Sequence, residues 1–194
     1  MSYRNTSIVF LALAASFTAS AQTPPPVYQP ITDGERFEWF AKSTVGPQSL
    51  AAGVVSAGWG TLWDRPEEYD THWEGFGKRY GMRLTGVVSS NAIEASLGAA
   101  LGGEDPRYTP SQSRNFWKRV GHAGKMTFMA YDRNGDLKPA YARYTANVGS
   151  NFLSNTWRVD SESTAGQATY RVGLGFAGRF VGNLFTEFLF NGRR

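Results

Sequence analysis

Cysteine is absent from the 194 residues, and histidine occurs only as His72 and His122. The first absence excludes a disulfide framework, a thiolate metal site, a nucleophilic thiol and a lipoprotein attachment cysteine. The second leaves no imidazole cluster, so neither a metal site nor a cofactor is expected. Long uncharged apolar runs are missing too. Glu94, Arg179 and Glu187 interrupt each candidate for the ~20-residue stretch that a spanning helix needs. Charge of one sign is also scarce. The formal net charge is +4, with 20 basic residues scattered singly or in pairs among 16 acids, which speaks against a nucleic-acid partner.

What is present begins with an export signal. Arg4 supplies a positive start, Ile8 to Phe17 form an apolar core of signal-peptide length, and Ala19-Ser20-Ala21 provides a small-x-small cleavage pattern. Residues 1–21 therefore read as a cleaved signal peptide. The segment 22–31 carries Pro24, Pro25, Pro26 and Pro30 and reads as an extended leader or tether. Residues 32–194 are expected to form one helical domain.

Helix punctuation is systematic from Thr32 onward. Thr32 with Glu35, Thr71 with Glu74, Thr109 with Gln112 and Thr164 with Gln167 all match the capping box, in which side chain and backbone satisfy each other across the first turn. Pro47, Pro110 and Pro139 suit first helical positions. The spacing predicts helices near 33–43, 47–63, 72–101, 110–131, 139–157 and 165–190. The expected fold class is all-α, a compact bundle of about five to six glycine-rich helices following the signal peptide.

Glycine is abundant inside these helices, where each one costs about 1 kcal/mol relative to alanine. A close contact is expected to offset that cost. Gly77 with Gly81, Gly178 with Gly182, and Gly98 with Gly102 repeat a small-xxx-small step, so Gly77, Gly81, Gly98, Gly178 and Gly182 are assigned to helix packing, within the chain or between copies. In the last helix Tyr170, Leu174, Ala177, Val181, Leu184 and Phe188 form an apolar stripe expected to face the core. Beside it, Arg171, Gly175, Arg179, Asn183 and Glu187 form a polar row at every fourth residue. Trp63, Tyr69 and Trp73 gather at one junction, and Tyr131, Tyr141 and Tyr144 at another, a placement that suits either an interfacial belt or the ends of a bundle.

Candidate chemistry is sparse, and no catalytic residue is assigned. Glu104, Asp105 and Arg107, with Glu74 or His122, offer the elements of an envelope hydrolase, if they converge within hydrogen-bond reach. The run Asp132-x-Asn134-x-Asp136 opens like a calcium loop and then departs from it, with Arg143 where a bidentate glutamate belongs. A polar Asn-Gly turn accounts for it. Arg79, Arg83, Glu94, Arg107, Arg179 and Glu187 are the candidate ligand-binding residues, since arginines on helices suit phosphate or anionic lipid and acids neutralise them.

Gly75-Phe76-Gly77-Lys78-Arg79-Tyr80-Gly81, Glu104-Asp105-Pro106-Arg107-Tyr108, Ser150-Asn151-Phe152-Leu153-Ser154-Asn155-Thr156-Trp157 and Glu187-Phe188 resemble the landmarks of a family of uncharacterised exported bacterial proteins. The likeness runs from about Trp59 onward. Family members tend to continue the final Glu-Phe with Trp-Pro-Asp, whereas this chain reads Leu189-Phe190-Asn191. The resemblance implies export and kinship and brings no activity, cofactor or catalytic residue.

The expected function is an exported, non-enzymatic helical envelope protein of the periplasm or outer membrane. Its role would be structural, in self-association or at a membrane surface, with any small-molecule ligand left open. Two alternatives stand beside it, the hydrolase above and a small outer-membrane β-barrel. The barrel requires alternating strands, and adjacent apolar residues such as Leu184-Phe185 break that period.

Overall fold

The computed structural model describes residues 28–190, so the signal-peptide assignment and most of the proline-rich leader lie outside the described residues. The described residues form six α-helices: α1 (Asp33–Val45), α2 (Pro47–Leu62), α3 (Trp73–Ala100), α4 (Phe116–Phe128), α5 (Tyr141–Leu153) and α6 (Ala165–Phe185). A small antiparallel hairpin, β1 (Met129–Tyr131) with β2 (Leu137–Pro139), separates α4 from α5 and pairs Ala130 with Lys138. The fold is all-α and compact. The β-barrel alternative is thereby corrected, since the described residues hold only these two short strands.

One of the four capping boxes forms in full and a second in half. At α1 the Thr32 amide donates to Glu35 Oε2 at 2.8 Å and the Glu35 amide to Thr32 Oγ1 at 3.2 Å. Thr164 Oγ1 likewise accepts from the Gln167 amide. The other two do not form. Asp70 takes the Thr71 amide and α3 starts at His72 without a side-chain cap. Residues 104–115 run without regular structure, so that α4 begins only at Asn115, whose Oδ1 accepts from Lys118. Pro47 opens α2 as expected, whereas Pro139 closes β2 instead of opening a helix.

The 28-residue α3 runs through the middle of the bundle, about 42 Å long at 1.5 Å per residue, and packs against α1, α2 and α5. Helix α6 closes the bundle over α4 and α5. A π-helical turn over Thr186–Phe190 follows α6. The end of the expected tether is docked, not free. The Tyr28 ring stacks on Tyr131 at 4.6 Å, and its hydroxyl donates to Asp105 Oδ2 at 2.9 Å.

The polarity of the bundle is inverted. Among the described residues, every buried apolar side chain other than Tyr69, Met126, Pro66 and Pro106 is an alanine, while Arg36, Arg79, Glu94, Glu104, Asp105, Arg143, Asn183 and Glu187 are buried. The largest fully buried side chains are Glu187, Thr127 and Ser154. Large apolar groups lie outside, among them Leu62 at 81%, Trp73 at 87% and Trp117 at 75% exposure. In α6 the expected stripe faces outward, with Tyr170, Leu174, Ala177 and Val181 exposed, and the polar row faces in. The row turns inward because its partners are there: Arg179 meets Glu94 of α3, Asn183 meets Thr127 of α4, and Gly175 lies against Asn147 of α5.

The glycine assignments are corrected by the same inversion. A Cβ added at Gly77, Gly81, Gly178 or Gly182 meets nothing within 4 Å, so these four make no close contact within the chain. Gly98 alone of the five is packed, with Arg36 Nη1 at 2.7 Å and the Glu104 carbonyl oxygen at 2.8 Å from its Cβ position. The tight positions are others. Gly53 lies under Tyr80 at 2.7 Å, and a Cβ on Gly75 would overlap the Tyr69 and Asp70 carbonyl oxygens.

Candidate functional site

The interior is organised by arginine. Glu94 of α3 is the hub: Arg143 Nε of α5 donates to its Oε1 at 2.9 Å, and Arg179 of α6 makes a two-pronged contact at 2.8 and 3.0 Å. The fork geometry explains why arginine occupies both positions, since each guanidinium has donors left for backbone. Arg143 Nη1 reaches the Met126 and Met129 carbonyls, and Arg179 Nη2 reaches that of Pro106. Burial pushes the Arg179 guanidinium down to about 10, Arg143 adds to that shift, and Glu94 opposes it.

Arg79 pins the connection between α2 and α3. Its donors reach the carbonyls of Arg65, Asp70 and Pro66, and Nη2 lies 3.2 Å from Asp64 Oδ1. Asp64 and Asp70 hold positive φ in that connection, and Gly75 leaves room for the Tyr69 and Asp70 carbonyls. Arg83, one helical turn further on, has a single bond to the Ser49 carbonyl at 3.1 Å, and burial lowers it. Arg171 is held by the Glu162 and Asn151 carbonyls and by Asn155 Oδ1, yet its Nε is buried without a partner. Burial lowers Arg171 too, and the neighbouring Arg158 adds to the shift.

Arg79, Arg83, Glu94 and Arg179 come together around one cavity of about 470 Å3 between α2, α3, α5 and α6. Arg65, Arg143, Arg158 and Arg171 complete its basic lining, against Glu94 and Glu162 as the acids, with no lysine or histidine. Polar Asn147, Ser150 and Asn151 and apolar Met82, Leu174 and Phe176 share the wall. Four of the six candidate ligand residues are therefore neighbours. Arg143 and Asn147 were missed, although they repeat in α5 the four-residue spacing of polar groups that marks α6.

The other two candidates lie elsewhere and are corrected. Glu187, fully buried, receives Arg119 Nε at 2.6 Å, the Tyr108 hydroxyl at 2.8 Å and the Ser111 amide at 2.9 Å. It latches the turn after α6 onto α4 and the 104–115 segment, and does not line the cavity. Arg107 spans Asp105, Glu35 and the Gln29 carbonyl and fastens the start of the described chain.

Burial pushes the Glu187 carboxyl up, but Arg119, the Ser111 amide and the Tyr108 hydroxyl outweigh it, and the net shift is below the ordinary 4.5. A depressed carboxylate contributes stability above its unfolded value, and that contribution is lost as the pH falls through the folded value. Glu187→Gln is thus expected to flatten the loss of stability below about pH 4.5, compared by urea midpoints at neutral and acid pH. Glu104 acts in the opposite sense. Burial raises it against two amide hydrogen bonds, so its contribution is present at low pH and lost as pH rises through the folded value.

Of the hydrolase constellation, Asp105 and Arg107 meet, while Glu104, Glu74 and His122 each bond elsewhere. Glu104 accepts the Ala142 and Arg143 amides at 3.0 and 3.3 Å and caps α5, whereas Asp105 is engaged by Arg107 and Tyr28. Glu74 pairs with Lys78 on the surface, and His122 Nε2 bonds the Thr109 carbonyl. Asp132 closes a turn by accepting the Asn134 and Asp136 amides, as a polar Asn-Gly turn requires. Among the described residues no group of three or more His, Cys, Asp or Glu is placed to hold a metal ion. The chain matches no family model, no curated protein and no solved structure.

Proposed function

We propose that this chain is an exported, non-enzymatic helical envelope protein, akin to the family it resembles, whose apolar exterior is covered by lipid at a membrane surface. The observation that supports this reading is the inverted polarity of the bundle. Burying a leucine, valine or phenylalanine side chain contributes about 1.5–3 kcal/mol, and here such side chains lie outside while the interior holds alanine and paired charges. Lipid reverses that deficit, because it accepts the apolar exterior and leaves interior hydrogen bonds without competing water. Exposed tryptophans at Trp59, Trp63, Trp73 and Trp117 suit the headgroup level, where one end of the ring is apolar and the other polar.

A surface seat is the form this takes, since no helix of the described residues is long and apolar enough to cross a membrane. The test is flotation of the processed protein with phosphatidylcholine vesicles. Co-flotation with a blue shift of tryptophan emission is expected. Leu62→Asp with Trp63→Asp should weaken vesicle partition roughly a hundredfold, because two exposed apolar side chains are lost. A protein that remains a monomer in buffer and ignores vesicles overturns the reading. An oligomer that ignores vesicles replaces lipid with further copies of the chain.

A further inference from the structure

We infer that the arginine-lined cavity is a binding site for a phosphate-bearing anion. The cavity of about 470 Å3 falls within the ~300–1,000 Å3 typical of small-molecule sites. Its seven arginines face only two glutamates. Both acids are already occupied, Glu94 by Arg143 and Arg179, and Glu162 by Arg158. Arg83 and Arg171 have no carboxylate among their hydrogen-bond partners and are held by carbonyls and neutral side chains. Arg83 and Arg171 thus face the cavity without a counterion bond, and the partnerless Arg171 Nε is a further buried donor.

Buried unpaired donors are costly, the more so when charged, and an anion that satisfies them recovers that cost on binding. Phosphate fits better than a carboxylate because several forks on different helices approach the cavity, and phosphate presents oxygens in more than one plane. Met82, Leu174 and Phe176 give the same cavity an apolar wall, which suits an ester carrying a hydrocarbon part. Phosphate on a lipid headgroup and phosphate on a soluble ester share this chemistry. With arginine as the only basic residue type, the site stays cationic across the neutral range.

Calorimetric titration of the full processed chain in neutral maltoside detergent tests the site. The probes are inorganic phosphate, glycerol 3-phosphate, dihexanoyl-phosphatidylglycerol and succinate. Saturable binding of at least one phosphate probe is expected, together with little or no heat from succinate. Binding by glycerol 3-phosphate identifies a soluble source, and binding by the lipid alone identifies a headgroup. Arg83→Gln, which removes one backbone bond, should weaken the bound probe about tenfold or more, with unchanged helical circular dichroism before ligand is added. Failure of every phosphate probe, equal binding of succinate, or unaltered affinity in a folded Arg83→Gln variant overturns the assignment. The wild-type titrations decide the question even where the variant does not fold.

Discussion

Replacement of Glu94 by leucine is expected to lower the unfolding free energy by about 3–5 kcal/mol, among the largest effects of any single substitution in this chain. The reason is the burial of two guanidiniums around one carboxylate. Arg143 is 3% exposed, and Glu94 is the acid both guanidiniums share. Without it, two interior cations keep their backbone bonds but lose their counterion. Repulsion between Arg143 and Arg179, already acting on Arg179, is then unopposed at short range. Glu94→Gln keeps an acceptor and removes the charge, so it should lose less. Glu94→Leu combined with Arg143→Met and Arg179→Met should recover much of the deficit, since the cost belongs to the unpaired charges. Urea midpoints followed by helical circular dichroism in neutral detergent give the comparison. Equal stability of Glu94→Leu and wild type would remove the hub from the account.

The second large effect is a change of sign within two residues of α3. Gly75→Ala is expected to cost about 3 kcal/mol, because the new methyl group overlaps two backbone oxygens that no rotamer change can move. Those oxygens belong to Tyr69 and Asp70, and Asp70 is one of the carbonyls that hold Arg79, so the damage spreads to the connection after α2. Gly77→Ala is expected to gain about 0.5–1 kcal/mol, since its methyl meets nothing and the helix gains propensity. Thermal unfolding of the two variants side by side reads the contrast. A cost at both positions in lipid, with a gain at Gly77 only in the lipid-free chain, would place that outward face against another molecule.

Much of the helical plan was legible, because it is written locally. Thr32 with Glu35 and Pro47 mark starts that depend on neighbouring residues alone, and they form as read. Thr71 and Thr109 carry the same local signal and fail, since Asp70 competes for one amide and the 104–115 segment is drawn away by Glu187, which takes the Tyr108 hydroxyl and the Ser111 amide. The polar row of α6 was legible as a spacing, yet its direction was not. Helical period separates two faces and is silent on which of them meets the medium. Assigning the apolar face inward takes water as the medium, and the structure turns Tyr170, Leu174 and Val181 outward instead.

The candidate site divides in the same way. Arg79, Arg83, Glu94 and Arg179 were identifiable as charges on helices that lack room for them on an apolar face, and they share the cavity. Glu187 and Arg107 have the same composition and a different address, which only the path of residues 104–115 determines. The glycines show the limit most plainly. Gly75 and Gly77 are indistinguishable by type and by helix, and the difference lies wholly in the carbonyls contributed by residues 69 and 70.

The cap on α5 makes that helix depend on a distant stretch of chain. Its first-turn amides are met by Glu104, 38 residues upstream of Ala142, and the helix has no side-chain cap from its own N-cap residue Ala140. A helix of 13 residues is marginal alone in water. Its first turn is therefore secured by tertiary structure, and α5 and the Glu104 segment are expected to form and melt together.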